Sequence, residues 1–205
     1  MMRTVIAVIV TVSATLGAGQ NDDFRVVPPP HYRALVELAD CKSMTCLASR
    51  RNALPKNEKM ANLVFFTKEM MLRPSPAAAE GLLHSMPSDV KEQMMFINFP
   101  TWHDDVTKTE HDMVTLGQIY DKWPRMAAKA ASLSPSAMSD YVRYLLLASN
   151  DIHSDFTGSA EAVCRKQPAA FRNAFKSLPE QEQMYIAKHV FDPASCKAIF
   201  RSEAE

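Results

Sequence analysis

Three stretches of this chain begin with a proline and end with another eleven positions later: PAAAEGLLHSMP at 76–87, PRMAAKAASLSP at 124–135 and PAAFRNAFKSLP at 168–179. Proline fixes φ and lacks an N–H, so it is tolerated in the first turn of a helix and disfavoured in its interior. With 13 prolines in the chain, about one pair at a given spacing arises by chance, and spacing alone is weak. The apolar residues between the prolines add more. Offsets +2, +3, +6 and +7 from the opening proline are Ala78, Ala79, Leu82 and Leu83 in the first copy, Met126, Ala127, Ala130 and Ala131 in the second, and Ala170, Phe171, Ala174 and Phe175 in the third. That spacing is one face of an α-helix.

The closing proline introduces a second helical stripe. Val90, Met94 and Ile97 follow Pro87; Met138, Tyr141, Val142, Leu145 and Leu146 follow Pro135; Ile186, Ala187, Val190 and Phe191 follow Pro179. Met94, Val142 and Ile186 hold the same offset in the three copies. A degenerate copy precedes them. Pro55 opens PKNEKMANLVFFTKEMML, with Met60, Leu63 and Val64 on one face, and Met44 stands where the other copies place their opening proline. The closing prolines Pro55, Pro87, Pro135 and Pro179 are 32, 48 and 44 residues apart. Paired helices at that period resemble a HEAT-type unit, in period and pairing only. The expected fold is all-α, a stack of helix pairs forming an α-solenoid or superhelix; the alternative is an irregular helical bundle whose turns use proline. Residues 104–122 are expected to form a connecting helix opening near Asp104 and Asp105, and NDIHSDFTGS at 150–159 a loop.

Glycine usage agrees with a helical chain. There are five glycines, and two of them, Gly17 and Gly19, lie in the N-terminal segment. Tight hairpins, phosphate-cradling loops and nucleophile elbows all lean on glycine, so a nucleotide-binding loop is disfavoured.

The first 19 residues read as a secretory signal peptide. Arg3 is the basic start, Val5 to Val12 the apolar stretch, and Ala14, Gly17, Ala18 and Gly19 supply small residues for cleavage. The apolar stretch is too short for a membrane span, which needs about 20 residues. Residues 20–30 form a charged and then Pro-rich extended lead-in, and 31–205 a single helical domain. Removing 1–19 leaves 22 basic and 23 acidic residues without a basic block, so nucleic acid is disfavoured as a partner. The expected compartment is periplasmic or extracellular.

Four cysteines in an exported chain imply two disulfides. The expected pairs are Cys41–Cys46 and Cys164–Cys196. Five residues along an unbroken helix would hold the first pair about 8–9 Å apart, beyond disulfide reach. That pair therefore predicts a helix break around Ser43 to Thr45. The second would clamp a C-terminal helix opening at Pro193.

Candidate chemistry is sparse. In WHDDVTKTEH, His103, Asp104 and His111, with Asp105 and Glu110, are candidate metal ligands. The spacing is not His-Glu-x-x-His and no third ligand is identifiable, so a polar helix start is the simpler reading. Asp151, His153 and Asp155 fit ordinary turn composition. His84-Ser85 is expected at a helix end in a capping role. The 13 methionines are expected to fill core gaps, and Trp102 and Trp123 to pack against the connecting helix. No nucleophile, base or cofactor loop stands out. The expected function is that of an exported non-enzymatic protein binding a protein or peptide; a carrier of a small apolar ligand is the alternative, and a metal-assisted hydrolase at His103–His111 the third. Non-reducing peptide mapping should join Cys41 to Cys46 and Cys164 to Cys196; a bridge between an N-terminal and a C-terminal cysteine would overturn both the pairing and the helix break.

Overall fold

The structure, a computed structural model, describes residues 31–89, 92–93, 110–148, 154–190 and 196; within this set the side chains of 110–118, 120–121 and 154–157 are not described. The described residues are mostly helical and contain no strand. In order they form α1 (Tyr32–Asp40), α2 (Met44–Asn52), α3 (Lys59–Leu72), α4 (Pro76–His84), α5 (Glu110–Leu133), a 3₁₀ turn (Pro135–Ala137), α6 (Met138–Ala148), α7 (Ser154–Lys166), α8 (Pro168–Lys176) and α9 (Glu180–His189). The segments 1–19 and 20–30 lie outside the described residues, as do Met94, Ile97 and Pro193.

Two of the three opening prolines start a helix. Pro76 and Pro168 are first-turn residues of α4 and α8. Ser75 caps α4, its hydroxyl accepting from the Ala78 N–H at 3.1 Å. Of the closing prolines, Pro135 opens the 3₁₀ turn and Pro179 is the N-cap residue of α9, whereas Pro55 lies before the turn that leads into α3, whose N-cap residue is Glu58. Pro124 departs from the expectation. It lies inside α5, which runs unbroken from Glu110 to Leu133, so the connecting helix and the first helix of the second copy are one element. An interior proline costs about 3 kcal/mol, through a lost hydrogen bond and a clash with the preceding turn. Burial of Ile119, Trp123, Ala127, Ala130 and Ala131 on either side of it offsets that cost. Large apolar side chains contribute roughly 1.5–3 kcal/mol each when fully buried.

A second departure is α7. The stretch expected as a loop is helical from Ser154 onward. Its buried residues, Ala160, Val163 and Cys164, face the long helix α5. That packing outweighs the local turn preference of Ser, Asp and Gly.

The apolar stripes occupy the core in the phase their spacing implies. Ala78, Ala79, Leu82 and Leu83 are buried, as are Ala127, Ala130 and Ala131, and Phe171, Ala174 and Phe175; Met126 and Ala170 are half-buried. Val142 and Ile186 are both fully buried. All belong to one apolar cluster that also holds Trp123, Tyr141 and Tyr144. A smaller cluster joins α1, α2 and α3 to Ile119 of α5. Helix α6 packs on α4 before it and on α8 and α9 after it. Helix α8 packs on α6 and α7, and α7 lies along α5.

One glycine is required by close approach. A Cβ on Gly81 of α4 would overlap the Phe66 ring of α3, which itself meets Phe65 edge-on at 5.0 Å. Arg172, which the helical phase puts on the exposed side, is half-buried, with its Nε lacking a hydrogen-bond partner. It lies only three residues from Phe175, and its long stem covers apolar surface. The exposed reference position on α8 is Asn173. Phe175→Ala should cost about 3–5 kcal/mol, and Asn173→Ala under about 0.5 kcal/mol, by urea denaturation of the oxidised protein. Equal small losses would contradict the buried phase of α8.

Candidate functional site

Helix α1 ends at Asp40 and α2 begins at Met44, so the chain breaks where the cysteine spacing requires it. Ser43 is the N-cap of α2, its hydroxyl accepting from the Cys46 N–H at 3.3 Å. The break brings the Cα atoms of Cys41 and Cys46 to 5.6 Å, and those of Cys164 and Cys196 stand 6.2 Å apart. Both separations lie within disulfide geometry.

The side chains of the metal candidates lie outside the described residues. His103 and Asp104 lie outside the described residues, and His111 is placed only as backbone in α5. Asp151 and His153 are also outside, and Asp155 is placed only as backbone in α7. Among the described residues no three His, Cys, Asp or Glu side chains gather as a ligand set. His84 does not cap its own helix. Its Nε2 pairs instead with Asp140 Oδ2 at 3.2 Å, joining the end of α4 to the start of α6. The Ser85 hydroxyl donates to the Gly81 carbonyl at 2.6 Å. Met70, Met86 and Met138 fill the large cluster, and Trp123 meets Tyr144 edge-on at 4.7 Å.

Polar bonds join helices and turns that are distant in sequence. The Lys59 ammonium of α3 bonds to the Glu92 carboxylate and, at 3.1 Å, to the Ser88 hydroxyl. Asp89 caps the same segment by accepting from the Glu92 N–H at 2.8 Å. Gln93 donates to the Leu147 carbonyl of α6 at 3.0 Å, and Gln167 to the Ser132 carbonyl of α5 at 3.1 Å. Glu92 is held below its ordinary pKa of 4.5: burial alone would raise it, but the Lys59 and Ser88 hydrogen bonds win. Its contribution to stability is complete above that ordinary value and is lost as pH falls through the lowered one.

Arg51 organises the α2–α3 turn. Its guanidinium donates to the carbonyls of Leu54, Pro55 and Lys56 and to the Asn62 side chain. Glu58, the residue before α3, stands near Arg51 and His31 but has no hydrogen bond to either carboxylate oxygen. Its burial raises its pKa above the ordinary value, against the attraction of His31 and Arg51. His31 itself is left-handed, at φ 68°, a conformation uncommon outside glycine. Sequence reasoning singled out neither Arg51 nor Glu58 as a site; the turn residues LPKNE carry no signal of a buried pair.

The clearest surface feature is the outer face of α9. Met184 is 63% exposed. Beside it Tyr185 meets His189 at 4.6 Å between ring centroids, with Gln181 and Lys188 exposed on the same helix. Only Ile186 of this helix is fully buried, and α9 rests on α6. An exposed Met beside a half-buried Tyr, with a polar margin, is the composition of adaptable recognition surfaces.

No family model matches this chain, and neither does a curated protein or a solved structure.

Glu58 occupies the N-cap position of α3 in an extended conformation without capping it. Glu58→Ser replaces an unpartnered carboxylate with a capping hydroxyl. It should stabilise the protein at pH 7 by about 1 kcal/mol. A raised carboxyl pKa makes the folded state bind more protons than the unfolded one, so the wild-type penalty fades as pH falls through that raised value. The advantage of the variant should therefore shrink as pH falls through that raised value; denaturation at pH 7 and pH 4 checks both parts.

Proposed function

We propose that this chain is an exported, non-enzymatic protein built from stacked helix pairs, and that it binds a protein or peptide partner. The stacking is supported by α6, which packs on the pairs before and after it, and by the Gln93–Leu147 and Gln167–Ser132 bonds. The extra helix α7 is inserted between the second and third pairs, so the stack is irregular compared with a HEAT-type array. Export is supported by the charge and apolar pattern of residues 1–19 and by two cysteine pairs at disulfide separation. Among the described residues no helix is long and apolar enough to cross a membrane.

The observation that carries the binding reading is Met184, 63% exposed beside the Tyr185–His189 pair. A partner presenting an apolar side chain would cover the thioether and the adjoining ring and leave Lys188 at the rim. A photo-crosslinking residue placed at 184 in the mature, oxidised protein should capture a discrete partner from the native source. The same residue at Asn173, exposed on α8, should not. Met184→Glu should abolish the capture while changing stability by less than about 0.5 kcal/mol, as exposed substitutions do. Equal crosslinking from both positions, or capture unaffected by the charge, would sink the proposal.

A further inference from the structure

The two cysteine pairs differ in what can reach them. Cys164 and Cys196 are 0% and 2% exposed, and Cys41 is 2% exposed. Cys46 is half-buried, so it alone of the four presents surface to solvent. Disulfide exchange needs an external thiolate to reach one of the two sulfurs, so access decides which pair reacts. The pairs also differ in what they fasten. Cys41 follows the end of α1, and Cys46 lies in the first turn of α2. Of α2 only Leu47 is buried, in the small cluster with Leu35, Leu38 and Leu54. The last turn of α2 is held separately, by the Arg51 guanidinium on the carbonyls of Leu54, Pro55 and Lys56. Cutting the cysteine bridge therefore frees one end of the helix and leaves the other anchored. A bridge across five residues also constrains the unfolded chain less than one across 32, so its loss costs the fold less.

We propose that Cys41–Cys46 is a thiol–disulfide exchange site, entered at Cys46 by a dithiol reductant, and that its reduction releases the first turns of α2 as a flap hinged at Arg51. In the first step a thiolate of the reductant attacks Cys46 Sγ. A mixed disulfide forms, the Cys41–Cys46 bond breaks, and Cys41 leaves as a thiolate that takes up a proton. Its Sγ stands 3.5 Å from the Glu37 carbonyl oxygen, an acceptor for the new S–H. In the second step the other thiolate of the reductant attacks its own sulfur in the mixed disulfide and expels Cys46, which is then protonated. The reductant ends as a disulfide and the protein as two thiols, a transfer of two electrons and two protons. Expulsion of Cys46 is helped by its place in the first turn of α2, because the N-terminal end of a helix favours a thiolate. Release of α2 uncovers the part of the small apolar cluster that Leu47 closes. The inference rests on the oxidised state that export implies, and not on the partner proposed for α9.

The test is timed reduction of the mature, oxidised protein by dithiothreitol under native conditions, with acid quench, alkylation and peptide mapping. Cys41–Cys46 should open at least about tenfold faster than Cys164–Cys196. Glutathione in place of dithiothreitol should leave its mixed disulfide on Cys46 and not on Cys41. Amide hydrogen exchange across Met44 to Leu47 should rise at least about tenfold on reduction, with α8 unchanged. The double variant Cys41→Ser, Cys46→Ser should show the same raised exchange without reductant, and protection of α8 in that sample reports an intact fold. Four free cysteines in the protein from its native source, before any reductant, would overturn the export reading and the proposal together. With both pairs oxidised at the start, opening of both at one rate, a mixed disulfide on Cys41, or unchanged exchange in α2 would overturn the proposal alone.

Discussion

Helix α5 is the constraint on which the rest of the architecture depends. Ile119 joins the small cluster formed with α1, α2 and α3, while Trp123, Ala127, Ala130 and Ala131 join the large one. One helix thus carries both cores, and α1, α3, α4, α6 and α7 all rest on it. A break at Pro124 would separate Ile119 and Trp123 from Ala127, Ala130 and Ala131, which carry the rest of the large cluster. Continuity past an interior proline is therefore the cheaper arrangement, because the lost backbone bond costs about 3 kcal/mol and the apolar surface at stake is worth more. The run of alanines on the far side also matters. Small side chains let α4 and α7 approach α5 closely, while the bulk needed to fill the space comes from Leu82, Leu83 and Val163 on the partner helices.

The stripes of the proline-bounded phrases were legible because a helical period and a buried face are properties of spacing alone. Ala79, Leu82, Phe171 and Phe175 needed only to recur at the right offsets. The cysteine pairing was legible for a related reason: five residues cannot be bridged along a helix, so the pair demands a break, and Ser43 is a residue that begins helices. What local spacing could not convey was competition between neighbours. Pro124 is a helix start by its own chemistry and a helix interior by what surrounds it. SDFTGS is a turn by composition and the first half of α7 by its contact with α5. The Arg51 clamp and the unpartnered Glu58 arise where segments distant from one another meet. The methionines Met70, Met86 and Met138 took the core-filling role expected of them, whereas the metal candidates His103 and Asp104 fall outside the described residues.

Polar groups in this fold fall into two kinds. Most join helices or turns and are satisfied: Lys59 with Glu92, Gln93 with Leu147, Gln167 with Ser132, and Arg51 with three carbonyls and Asn62. Such bonds add roughly 0.5–1.5 kcal/mol each, but they fix the register between helices, which apolar contact alone leaves loose. Glu58 belongs to the other kind. Burial raises its pKa and neither carboxylate oxygen has a hydrogen bond, so it lowers stability where it stands even with His31 and Arg51 nearby.

The placement of the cysteine pairs follows from how thin the apolar core becomes at the ends of the fold. Helix α2 buries only Leu47, which supplies roughly 2 kcal/mol. Ordering the backbone costs about 1–2 kcal/mol for each residue fixed, so that single side chain cannot hold a nine-residue helix. Other ties carry it. The Cys41–Cys46 pair fastens its first turn to the end of α1, Arg51 fastens its last turn to the start of α3, and Arg50 reaches Glu37 at 2.6 Å. The exposed ion pair adds little, so the covalent pair and the half-buried Arg51 guanidinium, with its several hydrogen bonds, do most of the holding. At the other end, Cys196 is buried and paired with Cys164 of α7, tying a position beyond α9 back to that helix. In between, where α4, α5, α6 and α8 bury whole faces, the structure contains no cysteine.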